Sequence, residues 1–208
     1  MNFIRLNTAF IPPKEVSEEV IELSKVIGNQ ADAYFVLDGI NFYPHITIYP
    51  PEYPEKNVPR VLEVIEGLVS LIRPRFNSIA FKFTKTKLGQ GYFGLVFEHS
   101  VEIQRVHEEI VQALNPLREG RIRDKYVEYH MEFNSRQLQN IEKYGYPGAM
   151  DLYNPHLTIT RLKDEDRFKE ILSTVKWDIS EFTVDKIGVY KMGEHGTCRE
   201  LIKGFNLR

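Results

Sequence analysis

The sequence predicts an α+β fold of two pseudo-symmetric lobes, each an antiparallel sheet with helices on the outside, with a cleft between the sheets. One phrase occurs twice: Tyr43-Pro44-His45-Ile46-Thr47-Ile48 returns as Asn154-Pro155-His156-Leu157-Thr158-Ile159. Each copy is followed by the same order of elements, a helix, a strand, a glycine turn and a strand, which is the signature of a duplicated unit. Apolar residues switch between a period of two and a helical period along the chain, so strands and helices are mixed throughout.

Ile4, Leu6, Thr8 and Phe10 alternate with Arg5, Asn7 and Ala9, as in a half-buried strand that Pro12-Pro13 ends. Val16, Val20, Leu23 and Ile27 recur at helical spacing, and Gly28-Asn29 offers a C-terminal stop. Short strands are expected at Tyr34 to Leu37 and Tyr43 to Tyr49. After the prolines at 50, 51 and 54, Pro59 suits a first helical turn, and Val58, Leu62, Ile65, Leu68 and Ile72 form the stripe of a second helix. Asn77 to Lys87 and Tyr92 to Glu98 read as a hairpin, with Gly89-Gln90-Gly91 supplying the positive φ values of its turn. Ile103, Val106, Ile110 and Leu114 mark a third helix. Behind the second phrase come a helix with Phe168, Ile171 and Val175 inward, a strand at Phe182 to Met192, a Gly193 to Gly196 turn, and a strand through Leu201 and Phe205.

Residues 115–153 do not repeat. They include the charged stretch Arg118 to Lys125 and a short helix around Ser135 to Tyr144, expected to form a solvated connection, with a substrate-facing lid as the alternative.

The chain of 208 residues, 42% hydrophobic, suits one domain over residues 1–208. A net charge of -2 speaks against a broad basic surface for long duplex nucleic acid and leaves a small or single-stranded phosphate ligand open. Cys198 is the only cysteine, so neither an intramolecular disulfide nor a cysteine metal cluster is expected, and a reducing compartment is. The first ten residues lack a basic region followed by an apolar run, and no stretch approaches the roughly 20 apolar residues that span a bilayer. A cytoplasmic monomer without membrane association is expected.

Residues two apart on a strand share a face, so His45 pairs with Thr47 and His156 with Thr158, while the apolar residues between them face a core. An imidazole accepts or donates a proton near neutral pH, and a hydroxyl beside it donates to a phosphate oxygen. Two such pairs can clamp one phosphate. A lone strand histidine is more often structural; duplication of both His and Thr reverses that expectation. His99, His107, His130 and His195 show no metal-ligand spacing and are expected at the surface or in loops, so neither a metal nor another cofactor is expected. Tyr43 and Tyr49 share strand parity with His45 and are the aromatics expected to wall the cleft, whereas Lys82 and Lys191 are expected to be solvated.

The paired His-x-Thr motifs resemble those of the 2H phosphoesterase superfamily, which includes RNA 2',3'-cyclic phosphodiesterases and 2'-5' RNA ligases. The resemblance covers most of the chain and implies two lobes with His45, Thr47, His156 and Thr158 as catalytic residues. It also implies a phosphate-contacting role for Arg161, although strict alternation places Arg161 on the face away from His156 unless the strand bends. Pro50 stands where some members carry a stacking aromatic, and the spacing from 45 to 156 exceeds that of compact members. The activity implied is metal-independent hydrolysis of a 2',3'-cyclic phosphate on an RNA end or nucleotide to a 2'-phosphate. The alternatives are a non-catalytic RNA- or nucleotide-binding module and a 2'-5' ligase. Which histidine is acid and which is base stays open at this point.

Overall fold

The structure, a computed structural model, describes residues 2–76 and 78–208, with Lys169 described in its backbone alone. Asn77, expected to open a strand, lies outside the described residues. Among the described residues, ten strands, six α-helices and short 3-10 turns alternate: β1 (Phe3–Phe10), α1 (Lys14–Gln30), β2 (Ala33–Val36), β3 (Ile46–Tyr49), β4 (Glu52–Pro54), α2 (Val58–Ile72), β5 (Ile79–Gly89), β6 (Tyr92–Phe97) and α3 (Val101–Leu114). Then come α4 (Asp124–Glu128), α5 (Ser135–Tyr144), β7 (His156–Leu162), α6 (Phe168–Thr174), β8 (Glu181–Val184), β9 (Lys186–Met192) and β10 (Cys198–Asn206).

The α+β fold matches the expectation, and the sheet shows how the halves are joined. Its strands run β10-β9-β1-β3-β7-β6-β5-β8, with β2 on β7 and β4 on β1. Motif strands β3 and β7 meet antiparallel at the middle through the pair Ile46 and Leu157, which are equivalent positions of the two phrases. A local two-fold therefore runs between the motifs. The halves are interleaved, since hairpin β5–β6 follows motif 1 in the chain but pairs with β7, while β9 pairs with β1 beside β3. Helix α1, which precedes motif 1, packs on β7, and α3, which precedes motif 2, packs on β3. Each motif strand is thus anchored by elements from both halves.

Alternation places the apolar partners as expected: Ile46, Ile48, Leu157 and Ile159 are fully buried in one core with Phe81, Phe93, Ile110 and Val20. The stripe of α3 faces it as expected through Ile103, Val106 and Ile110, whereas α2 is turned from its expected stripe and buries Val61, Ile65, Val69 and Ile72, leaving Val58, Leu62 and Leu68 half-buried at the edge of the core.

Several sequence expectations are corrected. Helix α1 runs through Gly28 to Gln30, and Gly28 is there for packing, because a Cβ would stand 2.6 Å from Val36 Cγ2. Strand β1 is buried on both faces over Leu6 to Phe10, since Asn7 and Ala9 are as enclosed as Leu6 and Phe10. The strand expected at Phe182 to Met192 divides at Asp185 into β8 and β9, which join opposite ends of the sheet.

The segment 115–153 contains α5 over the expected residues, with Asn134 and Gln137 forming a reciprocal N-terminal cap. The stretch from Arg118 is not simply solvated. Arg118 is buried, and its guanidinium donates to Asn115 Oδ1, Arg121 O, Glu142 O and Lys143 O, satisfying carbonyls at the end of α5. No helix is long and apolar enough to cross a membrane among the described residues.

Candidate active site

Both motifs hold their histidine in the same way. His45 lies just before β3 and His156 opens β7, each behind a buried proline, Pro44 or Pro155, that contributes no N–H. His45 Nδ1 donates to Tyr43 O at 2.8 Å, and His156 Nδ1 donates to Asn154 O at 2.8 Å. A carbonyl only accepts, so Nδ1 carries the proton in both rings and Nε2 presents its lone pair in the neutral form.

The two rings, Thr47 and Thr158 line one cavity of about 350 Å³, with Arg5, Lys87, Gln90, Tyr92, Tyr146 and His195 around them. Thr47 Oγ1 accepts from Asn7 Nδ2 at 3.0 Å, which leaves its own O–H to donate to a ligand. Burial lowers the pKa of His156 to about 4, with Lys87 and His45 adding to the effect and the Asn154 carbonyl opposing it. Burial also lowers His45, and Arg5 adds to it, while the Tyr43 and Gly196 carbonyls oppose it. Burial therefore favours the neutral form of both rings in the free protein. The lining carries arginine and lysine but no carboxylate, an environment suited to an anion.

A β-bulge follows each His-x-Thr. Ala9 pairs with Thr47 and Thr8 with Tyr49, skipping Ile48; Gly94 pairs with Thr158 and Phe93 with Thr160, skipping Ile159. The bulged residue leaves the ladder, and a side chain takes its carbonyl: His107 Nδ1 donates to Ile48 O at 2.9 Å, and Ser24 Oγ donates to Ile159 O at 2.8 Å. The two-fold thus extends from the reactive groups to the backbone that aims them.

The family model for the 2'-5' RNA ligase superfamily matches residues 12–196. The chain belongs to this superfamily, the 2H phosphoesterases. Comparison with curated proteins finds no match. Among solved structures, E. coli LigT complexed with 3'-AMP is similar at 14% identity and a TM-score of 0.53, covering 99% of this chain and 98% of that one. A protein described as a phosphoesterase is similar at 14% identity and a TM-score of 0.49, covering 98% of each chain. The LigT likeness shows a shared fold.

The bulges also decide which residues of this 2H chain reach the cleft. Alternation past His45 points Tyr49 at the site, but the extra residue at Ile48 reverses parity: Tyr49 is fully buried, its hydroxyl donates to Tyr144 O at 2.6 Å, and Pro50 lines the cavity instead. Tyr43 is also absent from the lining, since its ring packs on Tyr190 with centroids 5.5 Å apart and its backbone bridges Cys198. The second bulge brings Arg161 round to the cleft side. Its guanidinium sits 5.0 Å from the Tyr34 ring and 4.7 Å from the Tyr92 ring. Arg161 Nε donates to Gln90 O at 3.1 Å, and Nη1 donates to His195 Nδ1 at 2.8 Å. Arg161 lines a neighbouring cavity rather than the one between the histidines.

Of the four histidines expected at the surface or in loops, one lies elsewhere, and another sits in its expected turn but faces the cleft. His107 is fully buried on α3, its ring stacked at 3.9 Å on Tyr153, whose hydroxyl donates to Thr47 O at 2.9 Å. His195 is half-buried at φ 56 in the turn before β10 and lines the cleft. His99 and His130 are exposed, as expected, and so are Lys82 and Lys191. Arg5, Lys87, Tyr92 and Tyr146 complete the site. Arg5 had a sequence signal, since it shares the polar face of β1 with Asn7.

Proposed function

We propose that the protein hydrolyses 2',3'-cyclic phosphodiesters on RNA ends or nucleotides to 2'-phosphomonoesters, by general acid and base catalysis from two histidines and without a metal. The observation that carries this reading is the symmetric cavity: two imidazoles with Nδ1 engaged and Nε2 available, two threonine hydroxyls, and cationic walls without a carboxylate. Among the described residues no three His, Cys, Asp or Glu side chains gather as a metal-ligand set.

His156 is assigned the base, its neutral form favoured first by burial and then by Lys87. Its Nε2 takes a proton from water as the water oxygen bonds to phosphorus, and the P–O3' bond breaks. His45 is then the acid: burial and Arg5 favour its neutral form in the free protein, and the negative charge of a bound phosphate is what stabilises its imidazolium. Its Nε2–H passes a proton to O3', leaving the phosphate on O2'. Thr47 and Thr158 donate to the non-bridging oxygens as charge builds on them.

The test is incubation with nucleoside 2',3'-cyclic phosphates and cyclic-phosphate oligoribonucleotides in chelator, with products resolved by phosphorus NMR. A 2'-monophosphate is expected. A 3'-monophosphate, dependence on added metal, or no turnover across the set would refute the proposal.

A further inference from the structure

We infer that a second phosphate-binding subsite adjoins the histidine cavity, built by Arg5, Arg123, Lys125 and Arg161, so that the substrate carries a second phosphate close to the reacting one. This inference rests on the phosphodiesterase reading for the identity of the first phosphate.

The geometric basis is a second cavity of about 420 Å³ that shares Arg5, Tyr92, His195 and Gly196 with the first. One continuous ligand can therefore occupy both. Arg123, Lys125 and Tyr126 enter its wall from the non-repeating segment, so these residues of the insertion face a ligand and not only solvent.

Charge identifies the ligand. Four cationic side chains line this cavity against a single carboxylate, Glu194, whose side chain is 93% exposed and stands 3.9 Å from His195 Nε2. Arg123 also meets Glu52 at 3.3 Å, a carboxylate shared with Arg121. Arg5, Lys125 and Arg161 have no carboxylate within 4.0 Å among the described residues. Like charges are held together here: Arg123 lowers the pKa of Arg5 in addition to the larger effect of burial, and Arg161 and Lys125 do the same to His195. An anion relieves that repulsion.

Arg161 is held in advance by two tyrosine rings and two hydrogen bonds, which leave Nη2 without a protein partner among the described residues. A planar guanidinium fixed in this way suits a tetrahedral oxyanion. Phosphate is also the anion that recurs along the substrate of the first site. The second group is either the phosphate linking the terminal nucleotide to its upstream neighbour or a terminal 5'-phosphate of a free nucleotide.

The test is calorimetric binding of adenosine 2'-monophosphate, adenosine 2',5'-bisphosphate and an adenosine dinucleotide ending in a 2'-phosphate, to the wild type and to Lys125→Ala. Lys125 is exposed on α4, so folding does not depend on it. One charged hydrogen-bonded contact is worth about tenfold in affinity, so the better two-phosphate ligand should bind at least that much more tightly than the monophosphate. Lys125→Ala should remove most of that margin. The dinucleotide as the tighter ligand assigns the subsite to an RNA-linking phosphate, and the bisphosphate as the tighter ligand assigns it to a nucleotide's own. Equal affinity for one and two phosphates, or a margin unchanged in Lys125→Ala, would overturn the subsite. Binding needs no turnover, so a wide margin without hydrolysis sinks the catalytic reading alone, and hydrolysis without a margin sinks the subsite alone.

Discussion

Replacing His107 with phenylalanine tests how the motif-1 strand is held. The ring stays large enough to lie on Tyr153, but a buried group and a half-buried one lose their partners: Ile48 O, which accepts from Nδ1 at 2.9 Å, and Met150 N–H, which donates to Nε2 at 2.8 Å. An orphaned buried polar group costs about 1 to 3 kcal/mol, so the pair predicts a loss of about 3 kcal/mol. For a chain of this length that lowers Tm by about 6 to 12 °C. The variant should also change pH dependence. Burial holds His107 at about 4 against 6.5 when free, so as pH falls from 6.5 to 4 the unfolded chain takes up a proton that the folded chain does not. Stability contributed by the neutral ring is complete above pH 6.5 and is lost across that window, at about 1.4 kcal/mol per pH unit. Thermal unfolding followed by near-UV circular dichroism at pH 7.5 and at pH 5 measures both effects. Because Ile48 is the bulged residue beside Thr47, hydrolytic activity should fall with stability. A Tm within about 1 °C of wild type, or an unchanged acid slope, would refute the role given to His107.

Gly94→Ala should cost about 1 to 3 kcal/mol by overpacking and should displace Thr158. Its Cβ would stand 2.7 Å from Leu157 O and 3.4 Å from Thr158 Cα, backbone atoms that cannot swing away; thermal unfolding with wild-type Tm would contradict this. Asn7→Ala removes the donor to Thr47 Oγ1 and should lower kcat about fivefold with little change in KM, the size of one hydrogen bond of about 1 kcal/mol. Steady-state kinetics on a cyclic nucleotide measures this, and an unchanged kcat would count against Asn7 as a positioning residue.

Much of the fold was legible because its signals are local. The helix α2 itself, the stripe of α3, the Gly89-Gln90-Gly91 turn and the apolar backs of both motifs follow from periodicity and backbone chemistry alone. The pairing of β5–β6 with β7 was not legible, because residues within one strand do not state which distant strand they join. The misplacement of Tyr49 has a single cause: alternation assumes an unbroken ladder, and one bulged residue at Ile48 turns the following side chains over. The same event at Ile159 brings Arg161 to the cleft side. His107 did carry a signal, standing four residues after Ile103 and three before Ile110 on the buried stripe of α3, where a polar ring must find partners for both nitrogens. Lys125 and Tyr146 had none, since only tertiary folding brings the inserted segment to the cleft.

The central claim is that His45 and His156 act together on one phosphate. Single-turnover hydrolysis of a nucleoside 2',3'-cyclic phosphate by His45→Ala, His156→Ala and the double variant tests it most directly, with folding of each checked by near-UV circular dichroism. Each single change should lower the rate by about 10² to 10⁴, and the double variant should be little slower than either, because groups that serve one step fail as a unit. Losses that multiply in the double variant, or a single variant that keeps wild-type turnover, would contradict it.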